Sequence, residues 1–141
     1  MIRHACVALV LAACGGGGAT LADAAIDADP AIDAAPPRET IMTVQPLAAG
    51  ELVEGIMTGG PSDRAVIHLD GPSATIDWNL HGHNNGGTQM LHEELARMTV
   101  AYSYVPAASG DWYLLIRNGG ATNLEVQVRV ELFGAMAWRW Q

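Results

Sequence analysis

The segment from residue 81 to residue 94 holds the side chains best suited to binding a metal ion. His81 and His83 are two positions apart, and residues with this spacing share one face of a β-strand. His92 or Glu93 could complete the coordination from across a glycine-rich turn. Imidazoles with a carboxylate suit zinc or copper, so one hypothesis is an exported metal-binding module. In the alternative, these histidines are exposed residues at the end of a strand.

The sequence ends in an aromatic segment, Phe133 to Gln141. If this segment is extended, Trp138 and Trp140 share a face, and the two indoles could stack on a sugar ring or dock a partner. We favour the alternative in which the segment closes an edge of the fold and buries both rings.

Hydrolytic chemistry lacks a recognisable motif. Glu93 and Glu94 are adjacent, whereas a glycosidase pair must face a common cleft. None of the four serines of the chain lies in a nucleophile-elbow motif; the serines are Ser62, Ser73, Ser103 and Ser109. We therefore expect a protein that is not an enzyme.

The elements that must position these side chains are short strands. The segment Leu124 to Leu132 alternates apolar and polar residues throughout, and Ile76, Trp78 and Leu80 share one face of another alternating run. Clusters of Gly, Pro, Asn and Asp separate the runs, with a single turn of helix as a candidate at Leu91 to Arg97. The pattern predicts an all-β fold, a small antiparallel, jelly-roll-like β-sandwich of about seven to eight strands, with a small closed barrel as the alternative.

The amino terminus carries an export signal. An apolar run from Ala5 to Leu11 is too short to span a membrane, and Leu11-Ala12-Ala13-Cys14 follows it. These four residues resemble the bacterial lipobox, which implies a signal peptide over residues 1–13 and acyl chains such as palmitate on Cys14. In the alternative, an ordinary secretory signal is cut near Ala13.

The residues after Cys14 have the composition of a linker. Four glycines, Gly15 to Gly18, precede a stretch rich in Asp, Ala and Pro, and the like charges and Pro30 both oppose a helix. The sequence predicts a disordered tether over residues 14–40 and one folded domain over residues 41–141.

The formal net charge of −8, with no lysine in the chain, argues against nucleic acid as a partner. Attachment to the membrane would therefore come from the lipid. Because Gly15 rather than Asp follows Cys14, we expect the outer rather than the inner membrane.

One stretch of the domain, Trp78 to Val130, resembles the GOLD-type β-sandwich of the emp24/p24 family. The resemblance is carried by Ile76 to His83 with the Asn-Asn-Gly-Gly turn that follows, by Gly110-Asp111-Trp112-Tyr113, and by Arg117-Asn118. The coiled-coil heptads and transmembrane helix of p24 receptors are not seen in this sequence. The resemblance thus implies a binding module and no trafficking role.

These observations together predict a lipid-anchored, non-enzymatic binding or interaction module of the bacterial cell envelope. Its expected partner is an envelope protein or a glycan. No cofactor is expected unless the histidine cluster binds zinc or copper.

Overall fold

The computed structural model of the chain describes residues 35–84 and 86–141. The proposed signal peptide, Cys14 and the tether up to residue 34 lie outside these ranges. The described residues form strands connected by turns and loops, and they include no helix long and apolar enough to cross a membrane. The strands are β1 (Glu39–Leu47), β2 (Leu52–Gly59), β3 (Arg64–Asp70), β4 (Ile76–Asn84), β5 (Gly87–Arg97), β6 (Thr99–Tyr104), β7 (Gly110–Asn118), β8 (Leu124–Phe133) and β9 (Ala137–Trp140).

The strands form two antiparallel sheets. Sheet I has the order β1-β8-β3-β6, and sheet II has the order β5-β4-β7-β2-β9. The apolar core lies between the sheets, with Trp78, Leu114 and Ile116 contributed by sheet II and Ile67 and Val130 by sheet I. The predicted all-β sandwich is confirmed, with nine strands instead of seven to eight.

Strand β8 shows how sequence alternation builds this core. Each apolar residue from Leu124 to Leu132 is buried, while Glu125, Gln127 and Arg129 are exposed. The strand is central in sheet I, between β1 and β3, so one face packs against sheet II and the other meets solvent. Full burial of each aliphatic side chain stabilises the fold by roughly 1.5–3 kcal/mol.

The prediction of a helical turn at Leu91 to Arg97 is wrong, because this segment forms the second half of β5. Its residues favour a helix in isolation, but pairing with β4 decides the conformation. The pairing register shifts twice along β5, and Ala96 has a positive φ of 54°. The Ala96 N–H donates to Asp77 Oδ1 at 3.0 Å, which holds the irregular backbone in place.

The carboxyl-terminal segment forms β9, which pairs with β2 at the edge of sheet II. Trp138 and Trp140 are half-buried against the core, and their rings meet edge to face with centroids 5.1 Å apart. Gly55 of β2 leaves room for Trp138, since a Cβ at this position would overlap the indole. This arrangement favours the edge-closing role of the two tryptophans over ligand stacking.

The Asn118 side chain links two connections at the end of β7, the one between β1 and β2 and the one between β7 and β8. Its side chain is fully buried, and Nδ2 donates to the carbonyl oxygens of Leu47, Ala48 and Thr122 at 2.8–3.1 Å. Its Oδ1 accepts from the Gly120 N–H at 2.9 Å. A single amide thus satisfies backbone groups on both sides of the sandwich end.

Candidate functional site

A cluster of rings lies on the solvent-facing side of sheet II. His81 and Tyr113 are stacked with ring centroids 5.3 Å apart and planes 14° from parallel. His83 meets both rings edge on, with centroids 5.2 Å from His81 and 4.5 Å from Tyr113. We call these three residues, together with Glu54 and Asn79, the histidine–tyrosine patch.

The strand register brings the patch together. On β4, His81 lies directly opposite Tyr113 of β7, and Tyr113 in turn lies opposite Ile56 of β2. Cross-strand partners share a face, so these side chains lie in one row across sheet II. Ile56 is buried although it belongs to the outer face, and a continuous packed surface results.

His81 is held by polar neighbours on both sides of its ring. Its Nδ1 lies 2.8 Å from Asn79 Oδ1, so this nitrogen carries the proton and donates. Its Nε2 faces Glu54 Oε1 at 3.5 Å. Burial lowers the pKa of His81 more than the Glu54 carboxylate raises it, and His83 lowers it further. The lowered pKa favours the neutral imidazole, and the contact with Asn79 sets the orientation of the ring.

A polar group borders the patch on the side of β9. Thr58 Oγ1 donates to Asp111 Oδ1 at 2.6 Å, and Arg139 Nη2 lies 3.5 Å from Asp111 Oδ2. These three side chains are exposed enough to exchange partners with a bound molecule. Sheet II thus presents aromatic rings, an amide, carboxylates and a guanidinium on one face.

The structure places the other predicted metal ligands differently. His92 lies opposite Leu80, a core residue, and its ring stacks on Tyr102 with centroids 4.4 Å apart and lies 5.0 Å from Trp78. It therefore projects towards the sandwich interior, on the opposite side of sheet II from His81. Glu93 lies opposite Asn79 and shares the outer face, where it is exposed.

The structure consequently brings His81 and His83 together and separates His92 from them. Within residues 35–84 and 86–141, no group of three or more His, Cys, Asp or Glu side chains is placed to hold a metal ion. The two histidines are instead packed against Tyr113, and His81 also contacts Asn79 and lies near Glu54.

Glu93 and Glu94 also lie on opposite faces of sheet II. Glu94 lies opposite Trp78 on the inner face and accepts from the Trp78 Nε1–H at 3.2 Å. This hydrogen bond is the main reason that the pKa of Glu94 is lowered, and His92 and Arg97 lower it further. Glu94 therefore helps to close the sandwich between β5 and β6, and the two carboxylates do not face one cleft.

Sequence reasoning found His81 and His83 but missed Tyr113, Glu54 and Asn79 as their neighbours. Asn79 could be identified from the sequence, since it lies two residues before His81 on an alternating strand and so shares its face. Tyr113 and Glu54 belong to β7 and β2, and only the pairing of these strands brings them beside β4.

Fold and site define a small two-sheet β-sandwich with a rigid ring cluster on one exposed face. No family model matches the chain, and no curated protein matches it. It is similar to the solved structure of PliG, a periplasmic lysozyme inhibitor of g-type lysozyme from Aeromonas hydrophila. The TM-score is 0.52 at 9% sequence identity, and the match covers 66% of this chain and 85% of that chain.

A second similar structure is the Yersinia pseudotuberculosis-derived mitogen, with a TM-score of 0.48 and 12% identity over 69% of this chain and 86% of that chain. The similarity to PliG shows a shared fold at an identity far too low to carry function across. The resemblance to the GOLD-type sandwich stays a prediction.

Proposed function

We propose that this protein is a lipid-anchored, non-enzymatic binding module of the bacterial cell envelope, and that it binds a protein partner through the histidine–tyrosine patch. The observation that carries the binding role is the preorganised ring cluster on the outer face of sheet II, in which the buried His81 packs against the exposed His83 and the half-buried Tyr113. The envelope placement rests on the lipobox at Cys14 and on the tether that follows it.

The patch has the properties of a recognition surface. Tyr and His rings offer a large contact area at low conformational cost, because few torsions are left to freeze. His81 is already oriented by the contact of its Nδ1 with Asn79 Oδ1 and by stacking on Tyr113, so its ordering precedes binding. The neighbouring Arg139 and Asp111 supply charges of both signs, which suits the polar rim of a protein interface.

The same geometry argues against catalysis. The side-chain polar contacts of His81 go to Asn79 and Glu54, neither of which carries a hydroxyl or thiol that the imidazole could deprotonate. A histidine that serves as a general base must lie within hydrogen-bond reach of the group it deprotonates. Among the described serines, Ser73 bonds to Thr75 in a turn and Ser103 lies on the outer face of sheet I.

The shared fold with PliG supports a protein as the partner class, since that protein is described as an inhibitor of a lysozyme. A glycan is the competing partner, because exposed rings also stack on sugars. Both belong to the envelope, and the test below separates them.

The proposal is tested by site-specific photocrosslinking in the native host, with a photoreactive phenylalanine analogue replacing either His83 or Ser103. His83 belongs to the patch, whereas Ser103 lies on the opposite sheet and is also exposed. We expect a discrete protein adduct at position 83, none at position 103, and loss of the adduct when Tyr113→Ala is added.

Several results would overturn the proposal. Equal adducts at both positions, or no protein adduct at position 83, would remove the patch as the binding surface. An adduct of position 83 with peptidoglycan fragments in place of protein would assign the surface to a glycan. Hydrolysis of peptidoglycan by the purified chain would contradict the non-enzymatic role.

A further inference from the structure

A cleft of about 920 Å³ lies on the outer face of sheet I, at the end where β1 finishes and β8 begins. Its floor includes the row in which Val44, Gln127 and Asp70 lie opposite one another across β1, β8 and β3. The connections that follow β1, follow β3 and precede β8 form its rim. Ligand sites in proteins have volumes of about 300–1,000 Å³, so the cleft is large enough to hold a bound molecule.

The rim of the cleft is held by hydrogen bonds within the chain. Asn118 fixes two of the three connections, because its side-chain amide donates to the carbonyl oxygens of Ala48 and Thr122. The third is fixed by the Gly71 N–H, which donates to the Met98 carbonyl oxygen at 2.9 Å. A ligand therefore meets a cleft that is already formed, and the cost of ordering the rim on binding is small.

The described side chains that carry charge in the cleft are all acidic. Glu51, Asp70 and Glu125 contribute carboxylates, and none of the described lining residues is Arg, Lys or His. The ion pairs found among residues 35–84 and 86–141 involve other carboxylates. We call this region the acidic cleft.

Basic side chains appear in the adjacent row of sheet I, where His68 lies opposite Arg129. Arg129 Nη1 lies 3.5 Å from Glu131 Oε1. Because Glu131 follows Arg129 along β8 and Gln127 precedes it, this ion pair directs the guanidinium away from the acidic cleft. The carboxylates of the cleft therefore stay available to a ligand.

The arrangement of these carboxylates selects among cations. They belong to three separate segments of the chain, and in the part of the chain that the structure describes no three His, Cys, Asp or Glu side chains are placed to hold one metal ion. The described lining residues also include no aromatic ring, the group that recognises a quaternary ammonium ion. Amines or guanidinium groups at separate points of one ligand fit, because each can donate to its own carboxylate.

Apolar surface lies between the charges. Val44, Pro46 and Pro72 line the acidic cleft, and Val44 is 52% exposed. The stems of Lys and Arg side chains cover apolar surface of this kind while their charged ends reach a polar group. A cleft of this volume accepts several residues, whereas a free polyamine would leave much of it filled with solvent.

We propose that the acidic cleft binds a basic peptide segment of a partner protein, in which Lys or Arg side chains reach the three carboxylates. Residues 14–37 of the chain itself do not meet this requirement, because they include four aspartates and no Arg, Lys or His. Their charge has the same sign as that of the cleft, which opposes their entry.

The acidic cleft lies on sheet I, whereas the histidine–tyrosine patch lies on sheet II, so the inference goes beyond the proposed function. The cleft adds a second interaction surface, and its occupation leaves the patch free. Failure of either idea leaves the other standing.

Fluorescence anisotropy of the purified full chain tests the proposal. The probe is a short fluorescein-labelled peptide of alternating Lys and Ala, and the control probe alternates Glu and Ala. We expect saturable binding of the basic peptide with one site per chain and no binding of the acidic peptide. Raising the salt from about 0.02 M to about 0.3 M should weaken binding, because exposed charge pairs are screened.

Variants locate the site of binding. Asp70→Asn combined with Glu125→Gln should weaken binding by at least about fivefold. The matched control is Glu39→Gln combined with Glu93→Gln, which removes the same charge at exposed positions outside the cleft and should bind as the parent does.

A second pair of variants adds charge instead of removing it. Val44→Lys places a positive charge in the acidic cleft and should weaken binding by at least about fivefold. Leu95→Lys on β5, where Leu95 is 63% exposed, is the matched control and should have little effect. Both side chains are exposed, so both variants should fold, and far-UV circular dichroism checks this.

Four results would overturn the proposal. Absence of binding of the basic peptide is the first, and equal weakening by the two double variants, which would assign the attraction to the overall charge of the chain, is the second. Displacement of the peptide by spermidine at an equal concentration of amines would assign the cleft to free polyamines. Loss of peptide binding in Tyr113→Ala would place the peptide on the histidine–tyrosine patch instead.

Discussion

Replacing Gly55 with alanine tests how the carboxyl-terminal strand is held. A Cβ at this position would overlap the Cη2 and Cζ2 atoms of Trp138 and lie 2.9 Å from Cζ3. Because the β2 backbone is paired on both sides, with β7 and β9, the indole must move instead. Trp138 would then leave its half-buried place against the core.

The free-energy cost of Gly55→Ala can be worked out from the buried surface area that the Trp138 indole would lose. Half of the roughly 200 Å² that a tryptophan buries, at about 25 cal/mol per Å², corresponds to about 2.5 kcal/mol. Replacing glycine by alanine in a strand returns roughly 0.5–1 kcal/mol. We therefore expect Gly55→Ala to lower the free energy of unfolding by about 1.5–2 kcal/mol, measured by urea unfolding followed by far-UV circular dichroism.

A double-mutant cycle with Trp138→Ala decides whether the indole is the cause. In the Trp138→Ala background the clash is gone, so adding Gly55→Ala should be neutral or slightly stabilising. If Gly55→Ala costs the same in both backgrounds, the contact between Gly55 and Trp138 does not explain the glycine, and the reasoning is refuted.

Further predictions concern the buried polar residues. Asn118→Ala should lower the free energy of unfolding by about 2–3 kcal/mol, because it leaves the carbonyl groups of Leu47, Ala48 and Thr122 without this donor. A loss below about 0.5 kcal/mol in urea unfolding would contradict this. The pKa of His81 is lowered in the folded chain, so the unfolded chain takes up a proton more readily as the pH falls. The contribution of this group to the free energy of unfolding is therefore present above about pH 6.5 and should be lost as the pH drops below that value. Thermal melts from pH 7.5 to 5.0 should show this decrease, and His81→Gln should make the decrease smaller, while an unchanged slope would exclude His81 as its source. His92→Ala should destabilise the fold by about 1–2 kcal/mol through lost packing on Tyr102 and Trp78, without altering crosslinking at position 83, and a lost adduct would place His92 in the binding site after all.

The strands with clear alternation were predictable from sequence. Leu124 to Leu132 and the run of Ile76, Trp78 and Leu80 show the period of two that a sheet with one buried face requires, and both form strands. Strand β5 was not predictable in this way. Its segment Leu91 to Arg97 consists of good helix formers, and only pairing with β4 overrides that preference.

The candidate site was half predictable for a related reason. His81 and His83 share a face because they are neighbours on one strand, and local spacing reveals this. His92 lies across a turn, where the register shift between Met90 and His92 decides its face, and local spacing cannot reveal this shift. Tyr113 reaches His81 through the pairing of β4 with β7, which depends on the topology of the whole sheet.

The anchor at Cys14 is the claim that places the binding face at the cell envelope, and intact mass spectrometry of the protein purified from membranes tests it most directly. The account predicts a chain that begins at Cys14 and carries the added mass of acyl groups, with release from the membrane in the Cys14→Ser variant. A chain that begins elsewhere, or one with an unmodified Cys14 thiol, would contradict it.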